Sequence, residues 1–342
     1  MMIQKRNSLK LSDLKVGVLF NSPVMPSRGE DIDYVADAEV EEQVETVEAA
    51  LEKLDLEHQC LPLRESVESL VKELKAYCPD VVINLCEGAF GDSHLEMNVP
   101  LILELLKFPY TGSTPIVLGL CQNKGLTKDI LRAKKILTPQ YRVLNRIEDW
   151  KGKMSYPLFV KPLSEDGSIG ITKESFVRNY IELQKRVEYI IKRYRQPVLV
   201  EKYIYGRELN VAILGNAKME VLPISEIMFK FSDEPRIVDY CAKWLKESEE
   251  YKKTVPICPA ELEPSTLDLV ERKALQACAA MGCRDYARID IRLKRETPYV
   301  LEVNPNPDIS PDGGFVRSLR AAGISYEEFI QEIICSALQR RN

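Results

Sequence analysis

Histidine is nearly missing from this chain: His58 and His94 are the only two in 342 residues. That scarcity argues against histidine-built metal centres and His-activated nucleophiles. Both are assigned packing or surface roles, His58 within a strand-like segment. No run of eighteen apolar residues occurs, which excludes an obvious membrane-spanning helix. Met1 to Ser12 is polar and basic and lacks an apolar signal core, so a cytoplasmic protein without a membrane partner is expected. A basic excess is also lacking. Lys and Arg number 47 against 52 acidic residues, a formal charge of −5 with no electrostatic footprint for nucleic acid. The nine cysteines have neither metal-finger spacing nor an even count, so they read as reduced thiols, several packed as small hydrophobes. A GxxxxGK[ST] phosphate loop is absent.

What is present describes an ordinary globular protein, 45% hydrophobic and 29% charged, long enough for two or three domains. Lys15–Phe20 reads as a buried strand, followed by a Pro/Gly/Asp loop to about Asp37. A helix then carries Val40, Val44, Val47, Leu51 and Leu54 at alternating steps of four and three. Glu57–Leu63 is a second strand, Ser66–Tyr77 a helix, and Asp80–Leu85 a third strand. This alternation predicts parallel strands with crossover helices, and ligands beyond the strands' carboxyl ends at Asn21-Ser22 and Cys86-Glu87-Gly88. From about Lys124 the texture becomes α+β. A helix to Ile136 precedes strands at Tyr141–Leu144, Tyr156–Lys161 and Pro197–Glu201, with a helix over roughly 176–194. Near Gly206 a third region begins, with strands Leu209–Leu214 and Met219–Ile224. Ser325-x-x-Glu328 is a capping box opening a last helix.

Three segments could carry chemistry. In Ala287–Leu293, period two puts Arg288, Asp290 and Arg292 on one face. A short gap with Thr297-Pro298 then leads to a return strand, Tyr299–Asn304, with Glu302 and Asn304 on its polar face. A hairpin in even register would set Asp290 beside Glu302 or Asn304. Two carboxylates and an amide oxygen suit a nucleotide-bound Mg²⁺; a solvated sheet face with alternating charges is the other reading. Lys161 ends a strand before Ser164–Gly170, a Gly/Ser loop able to offer charge and N–H groups to phosphate, or simply a surface turn. Val198–Glu201 leads into Lys202, Tyr203, Ile204 and Glu208. That segment could read an adenine edge and a ribose, or merely leave the core.

Together these segments resemble the ATP-grasp superfamily, and within it the D-alanine–D-alanine ligases. Pro109-Tyr110-Thr111-Gly112-Ser113, Asn123-Lys124, Phe159-Val160-Lys161-Pro162, Val200-Glu201-Lys202, Asp239-Tyr240-x-x-Lys243, Arg288-Ile289-Asp290 and Glu302-Val303-Asn304 recur in that family's order and spacing. The resemblance implies an ATP-grasp fold of α/β and α+β parts with an N-terminal parallel α/β domain. Its divisions would be a substrate domain at 1–120, a small central subdomain at 121–205, and a C-terminal subdomain with the metal site at 206–342. It implies ATP and two Mg²⁺ ions, with Mn²⁺ as an alternative, small amino-acid or peptide substrates, and a homodimer.

Residue by residue, the resemblance implies that Lys124 and Lys161 contact ATP phosphates, with Ser168 and its loop closing over them. Glu201, main-chain groups of Lys202 and Ile204, and Glu208 would hold adenine and ribose, and Lys243 would reach the phosphates. Asp290, Glu302 and Asn304 would bind the metals, and Arg288 the oxyanion of a tetrahedral adduct. Glu39, at the head of the first helix, would grip an amino group, or be an exposed first-turn glutamate that helix dipoles favour. The implied activity is ATP-dependent joining of a carboxylate to an amine through an acyl phosphate. Alternatives are the same chemistry on other amino acids or a peptide, and a catalytically silent ATP-binding regulator.

The sequence departs from the family pattern where substrates bind. Asn21-Ser22-Pro23-Val24-Met25-Pro26 stands where a glycine-rich loop is usual, Gly167 where a serine is, and Trp244 where a tyrosine is. Cys86 takes a position that is often His, Asp308 that of a glycine, and Gly313 that of a serine. Asp308 or Asp312 is therefore expected to help define a different acceptor.

Overall fold

The computed structural model describes residues 13–25, 28–64, 66–216, 218–231 and 233–340. Val16, Val18 and Leu19 have no solvent exposure in β1 (Lys15–Asn21). The Pro/Gly/Asp segment that follows ends in a 3-10 turn at Asp31–Asp33 and a short α1 (Tyr34–Ala38), so the expected loop is partly helical. Next come α2 (Val40–Lys53), β2 (Glu57–Leu63), α3 (Val67–Tyr77) and β3 (Val81–Asn84). As the alternation predicts, the strands form a parallel sheet ordered β2-β1-β3. Ser66 caps α3 by accepting from Ser69 N.

Three helices then lead away: α4 (Asn98–Leu106), α5 (Pro115–Gln122) and α6 (Lys124–Ala133). The first two carry no pattern that separates a buried helix from a buried strand. A four-stranded antiparallel sheet follows, built from β4 (Tyr141–Leu144), β5 (Leu158–Pro162), β6 (Phe176–Val177) and β7 (Val198–Lys202) in the order β4-β7-β5-β6. The helix expected over 176–194 is shorter, α7 (Tyr180–Tyr194). Asn179 caps it by accepting from Glu182 N, which frees Phe176 and Val177 to pair with β5.

The third sheet contains β8 (Arg207–Gly215), β9 (Met219–Val221), β10 (Ser225–Phe229), β11 (Thr254–Ile257), β12 (Asp285–Lys294) and β13 (Thr297–Asn304). Its order is β11-β10-β8-β12-β13, with β9 folded onto β8. Two short helices, α8 (Tyr240–Trp244) and α9 (Glu249–Lys253), bridge β10 to β11, and α10 (Pro264–Met281) covers one face of the sheet. The chain closes with α11 (Gly314–Ala321) and α12 (Tyr326–Gln339), the latter opened by the expected Ser325/Glu328 capping box. Among the described residues, no helix is long and apolar enough to cross a membrane.

The first and third sheets share one core. Val16, Val18 and Ile83 pack with Val44, Val47 and Leu51 of α2, and also with Phe329, Ile330 and Ile333 of α12. Tyr286, Phe315 and Phe329 meet there with ring centroids 5.3–5.8 Å apart, edge and tilted contacts that favour aromatic pairs. A polar clasp reinforces this joint. Asp285, buried and in the left-handed region at φ 63°, accepts from Gly112 N at 2.7 Å and from Arg340 Nη2 at 2.8 Å. Arg340 also donates to Tyr110 O. Arg340→Ala would leave the Asp285 carboxylate buried without its cation, so it should lower unfolding stability by about 3 kcal/mol. Urea titration of the two proteins measures this, and an unchanged midpoint would show that the clasp is dispensable.

Candidate active site

The central and C-terminal sheets face each other across a cavity of about 840 Å³. The β12–β13 hairpin forms in the register its alternation suggested: Asp290 lies opposite Glu302, and Arg288 opposite Asn304. A bulge between Asp290 and Ile291 ends the regular pairing beside these carboxylates, as bulges commonly do where side chains must be re-aimed. From the other sheet, β5 delivers Lys161 and β7 delivers Glu201, both buried.

One ammonium ties the two sheets together. Lys161 Nζ stands 3.4 Å from Glu201 Oε1 and 3.4 Å from Glu302 Oε2. Burial by itself depresses that ammonium, yet the two carboxylates more than offset it and hold its pKa above the usual range. Burial likewise disfavours the Glu302 anion, but Lys161, Lys124 and Arg288 keep it ionised well below the usual carboxylate range. On the same face Arg288 grips Asp290 with two parallel bonds of 2.8 and 2.9 Å, and Asn210 Nδ2 donates to Asp290 Oδ1 at 2.8 Å.

Of the residues singled out in the sequence, Glu39, Lys161, Ser168, Glu201, Lys202, Ile204, Glu208, Lys243, Arg288, Asp290 and Glu302 all line this cavity. Lys124 and Asn304 are not in its wall. Lys124, buried at the start of α6, donates to Glu165 O and Asp166 Oδ1, both at 2.6 Å, and so anchors the Ser164–Gly170 loop from behind. The Asn304 amide oxygen accepts from Asn306 N at 3.0 Å and caps the turn after β13. Glu201 is held by two lysines, since Lys128 Nζ approaches its Oε2 at 2.7 Å.

Lys128 was missed in the sequence, although it sits four residues after Lys124 and hence on the same helix face. Arg292, on the charged face of β12, pairs with Glu208 at 2.6 Å. Asn210 could have been found by period two from Glu208.

The loop and α8 close over one another. Gly167, Ser168 and Gly170 all have positive φ, between 62° and 69°. At Gly170 a side chain would also meet Pro162 Cγ at 2.7 Å. Ser168 Oγ donates to Val238 O, and Trp244 Nε1 donates to Gly167 O, each at 2.8 Å. Lys243 Nζ lies 4.3 Å from the Trp244 ring centre. Two of the residues that depart from the family pattern, Gly167 and Trp244, thus make one contact. Asp308 and Gly313 form another such pair: a Cβ on Gly313 would stand 3.0 Å from Asp308 O and 3.1 Å from Asp308 Oδ2. Cys86 is buried and its thiol is pushed up by burial, which fits packing and not a nucleophile.

Several carboxyls here hold protons near neutrality. Burial, then the Asp308 charge, raises Glu39 to about 8. Burial, then Asp308, raises Glu87 to about 7. Burial, then Asp166, raises Glu96 to about 8, while Asn306 donates to its Oε1 at 3.1 Å.

Among the described residues, no three His, Cys, Asp or Glu side chains form a preassembled metal cage. Asp290 and Glu302 nevertheless offer facing hard oxygens, the donors magnesium prefers when phosphate oxygens complete its shell.

Between 4.5 and about 8 the folded Glu96 carries a proton that the unfolded chain has shed. Stability should therefore fall as pH rises through that window. Glu96→Gln should flatten the dependence, read from unfolding midpoints at pH 5, 7 and 9 (roughly the window's span). Identical slopes in the two proteins would remove the basis for a protonated Glu96.

Comparison with known proteins bears on the same site. The family model for the D-ala D-ala ligase C-terminus matches residues 128–335. An uncharacterised protein of Sinorhizobium fredii is 34% identical over 305 residues, 86% of this chain and 87% of its own length. The D-alanine–D-alanine ligase of Thermotoga maritima is 35% identical over 295 residues, 86% of this chain and 90% of its own. The crystal structure of D-alanine–D-alanine ligase from Bacillus anthracis complexed with ATP superposes with a TM-score of 0.74 at 26% identity, covering 96% of this chain and 98% of that one. The chain belongs to the D-alanine–D-alanine ligase family, with its ATP-grasp fold and ATP-dependent ligase chemistry.

Proposed function

We propose that this enzyme activates a substrate carboxylate with ATP as an acyl phosphate and couples it to the amine of a second amino acid or peptide. The observation that carries this reading is the convergence of Lys161, Glu302, Asp290 and Arg288 on one cavity from two sheets. A carboxylate is a poor electrophile. Attack of its oxygen on the γ-phosphorus of ATP expels ADP and gives an acyl phosphate; the amine then adds to the carbonyl carbon, loses a proton, and phosphate departs. Both steps concentrate negative charge, which cations fixed in a dry site stabilise without reorganisation.

Asp290 and Glu302, with Asn304 beyond them, would hold Mg²⁺, or Mn²⁺ in its place. Metal there would supply charge neutralisation for the phosphates. Lys161 is then the ammonium facing the nucleotide, and Lys124 acts from behind by holding the phosphate loop. Ile204, Lys202 and Glu208 form the wall in which adenine and ribose would lie. Trp244 on Gly167 and Ser168 on Val238 close the loop and keep water from the acyl phosphate. Arg288, oriented by its two bonds to Asp290, faces the developing oxyanion. A silent ATP binder would have no need for that arginine or for a closing loop.

The identity of the amine partner is where the chain's departures concentrate. Asp308 and Gly313 line the cavity next to Glu39, so an ammonium-bearing acceptor meets carboxylates there. We expect a product other than D-alanyl-D-alanine. Phosphate release from Mg·ATP is to be screened across pairs drawn from glycine, the common L-amino acids and D-alanine, with product masses recorded. Amino-acid-dependent release supports a ligase, and D-Ala–D-Ala formation as the preferred reaction would contradict the acceptor argument. Glu302→Ala should lower turnover by about 10³-fold with the fold retained by circular dichroism. Near-normal turnover in that variant is incompatible with a metal role.

A further inference from the structure

Among the cations of the cavity wall is an arginine that the proposed chemistry does not use. Arg317, the fourth residue of α11, lines the same space as Arg288 and Asp290. Among the described residues it makes no ion pair. Its Nη2 donates to Asp312 O at 2.9 Å, and its Nη1 reaches Ser225 Oγ at 3.5 Å. Every other cavity arginine is neutralised at close range: Arg288 by Asp290 and Arg292 by Glu208. Burial depresses the Arg317 guanidinium from its usual range, and the Asp312 charge only partly compensates. The residue is therefore a largely desolvated cation with no carboxylate at ion-pairing distance among the described residues, although the Asp312 and Asp308 charges favour it from farther off.

Nothing in the local fold calls for a cation there. The start of a helix favours negative charge, so an arginine near it gains nothing from the dipole. The N-cap of α11 is Gly313, which supplies no side-chain acceptor, and the first-turn N–H groups lack a side-chain cap. Gly314 keeps the approach open: a Cβ on it would lie 3.8 Å from both Arg317 Nη1 and Asn210 Oδ1. Guanidinium, helix start and glycine step together make a corner that accepts a planar anion. Asn210 connects that corner to Asp290, which Arg288 grips.

We infer that Arg317 is a specificity-determining residue, whose guanidinium binds the free carboxylate of the amine acceptor and directs its amino group toward the reacting carbonyl. This rests on the ligase reading above. It requires an acceptor bearing a free carboxylate, and it predicts that acceptors with a neutral amide there are rejected. The role is played by a charged fork where the family pattern has a serine at position 313.

The test runs the acceptor panel in parallel as free amino acids and as their carboxamides, on the wild type, Arg317→Gln and Arg317→Lys. For Arg317→Gln the acceptor KM should rise by about 30-fold, the loss expected for a charge-assisted pair. The KM for ATP should stay within about twofold, and the preference for free acid over carboxamide should collapse. Arg317→Lys, which keeps the charge but loses the fork, should fall between the two; it decides the matter if the Gln protein does not fold. An unchanged acceptor KM, or a preserved acid-to-amide ratio in either folded variant, overturns this inference alone. A wild type that releases phosphate with no acceptor of either kind overturns the ligase reading and this inference together.

Discussion

A single lysine between two carboxylates holds this structure in its working shape. Lys161 belongs to the central sheet, as does Glu201, whereas Glu302 belongs to the C-terminal one. Removing Lys161 would take from Glu302 its one ion pair among the described residues, and breaking a buried pair is costly in a way that losing a surface pair is not. Around that node the charges are layered: Lys128 backs Glu201, Lys124 holds the loop behind, and Arg288 balances Asp290. The two sheets are joined by polar contacts across a large cavity, while the N-terminal and C-terminal sheets are joined by an apolar core.

The substitutions that set this chain apart are coupled in pairs. Trp244 donates to the backbone carbonyl of Gly167, so the aromatic and the glycine share one contact. Asp308 crowds the place where a side chain on Gly313 would stand, so the aspartate and the glycine accommodate each other. Both pairs lie in the cavity wall, and none of the four residues forms an ion pair with the Lys161–Glu201–Glu302 or Arg288–Asp290 cluster.

Protonation follows the same division. Groups in the buried node between the two sheets are held ionised by close opposite charges, as Lys161 and Glu302 are. Glu39, Glu87 and Glu96, outside that network, are pushed up toward neutrality by burial and then by the Asp308 charge, or for Glu96 the Asp166 charge, which Lys243 and Lys124 only partly offset. An incoming ammonium would supply the missing charge to Glu39.

The sequence alone determined the parallel first sheet, through its alternating strands and helices, and the Asp290–Glu302 hairpin, because a two-residue period leaves only one polar face. It also placed the capping box of α12, and with the family resemblance it named eleven of the side chains that line the cavity. It could not reveal α4 or α5, whose apolar runs suit any buried element, nor the split of 176–194 into a strand and a capped helix. It missed Lys128 and Arg317, since a charged residue on a helix reads as solvated until its surroundings are known. Whether Lys124 and Asn304 face the cavity or support its edge was decided only by tertiary packing. Direction of a side chain depends on neighbours that lie a hundred or more residues away, and local pattern contains no information about them.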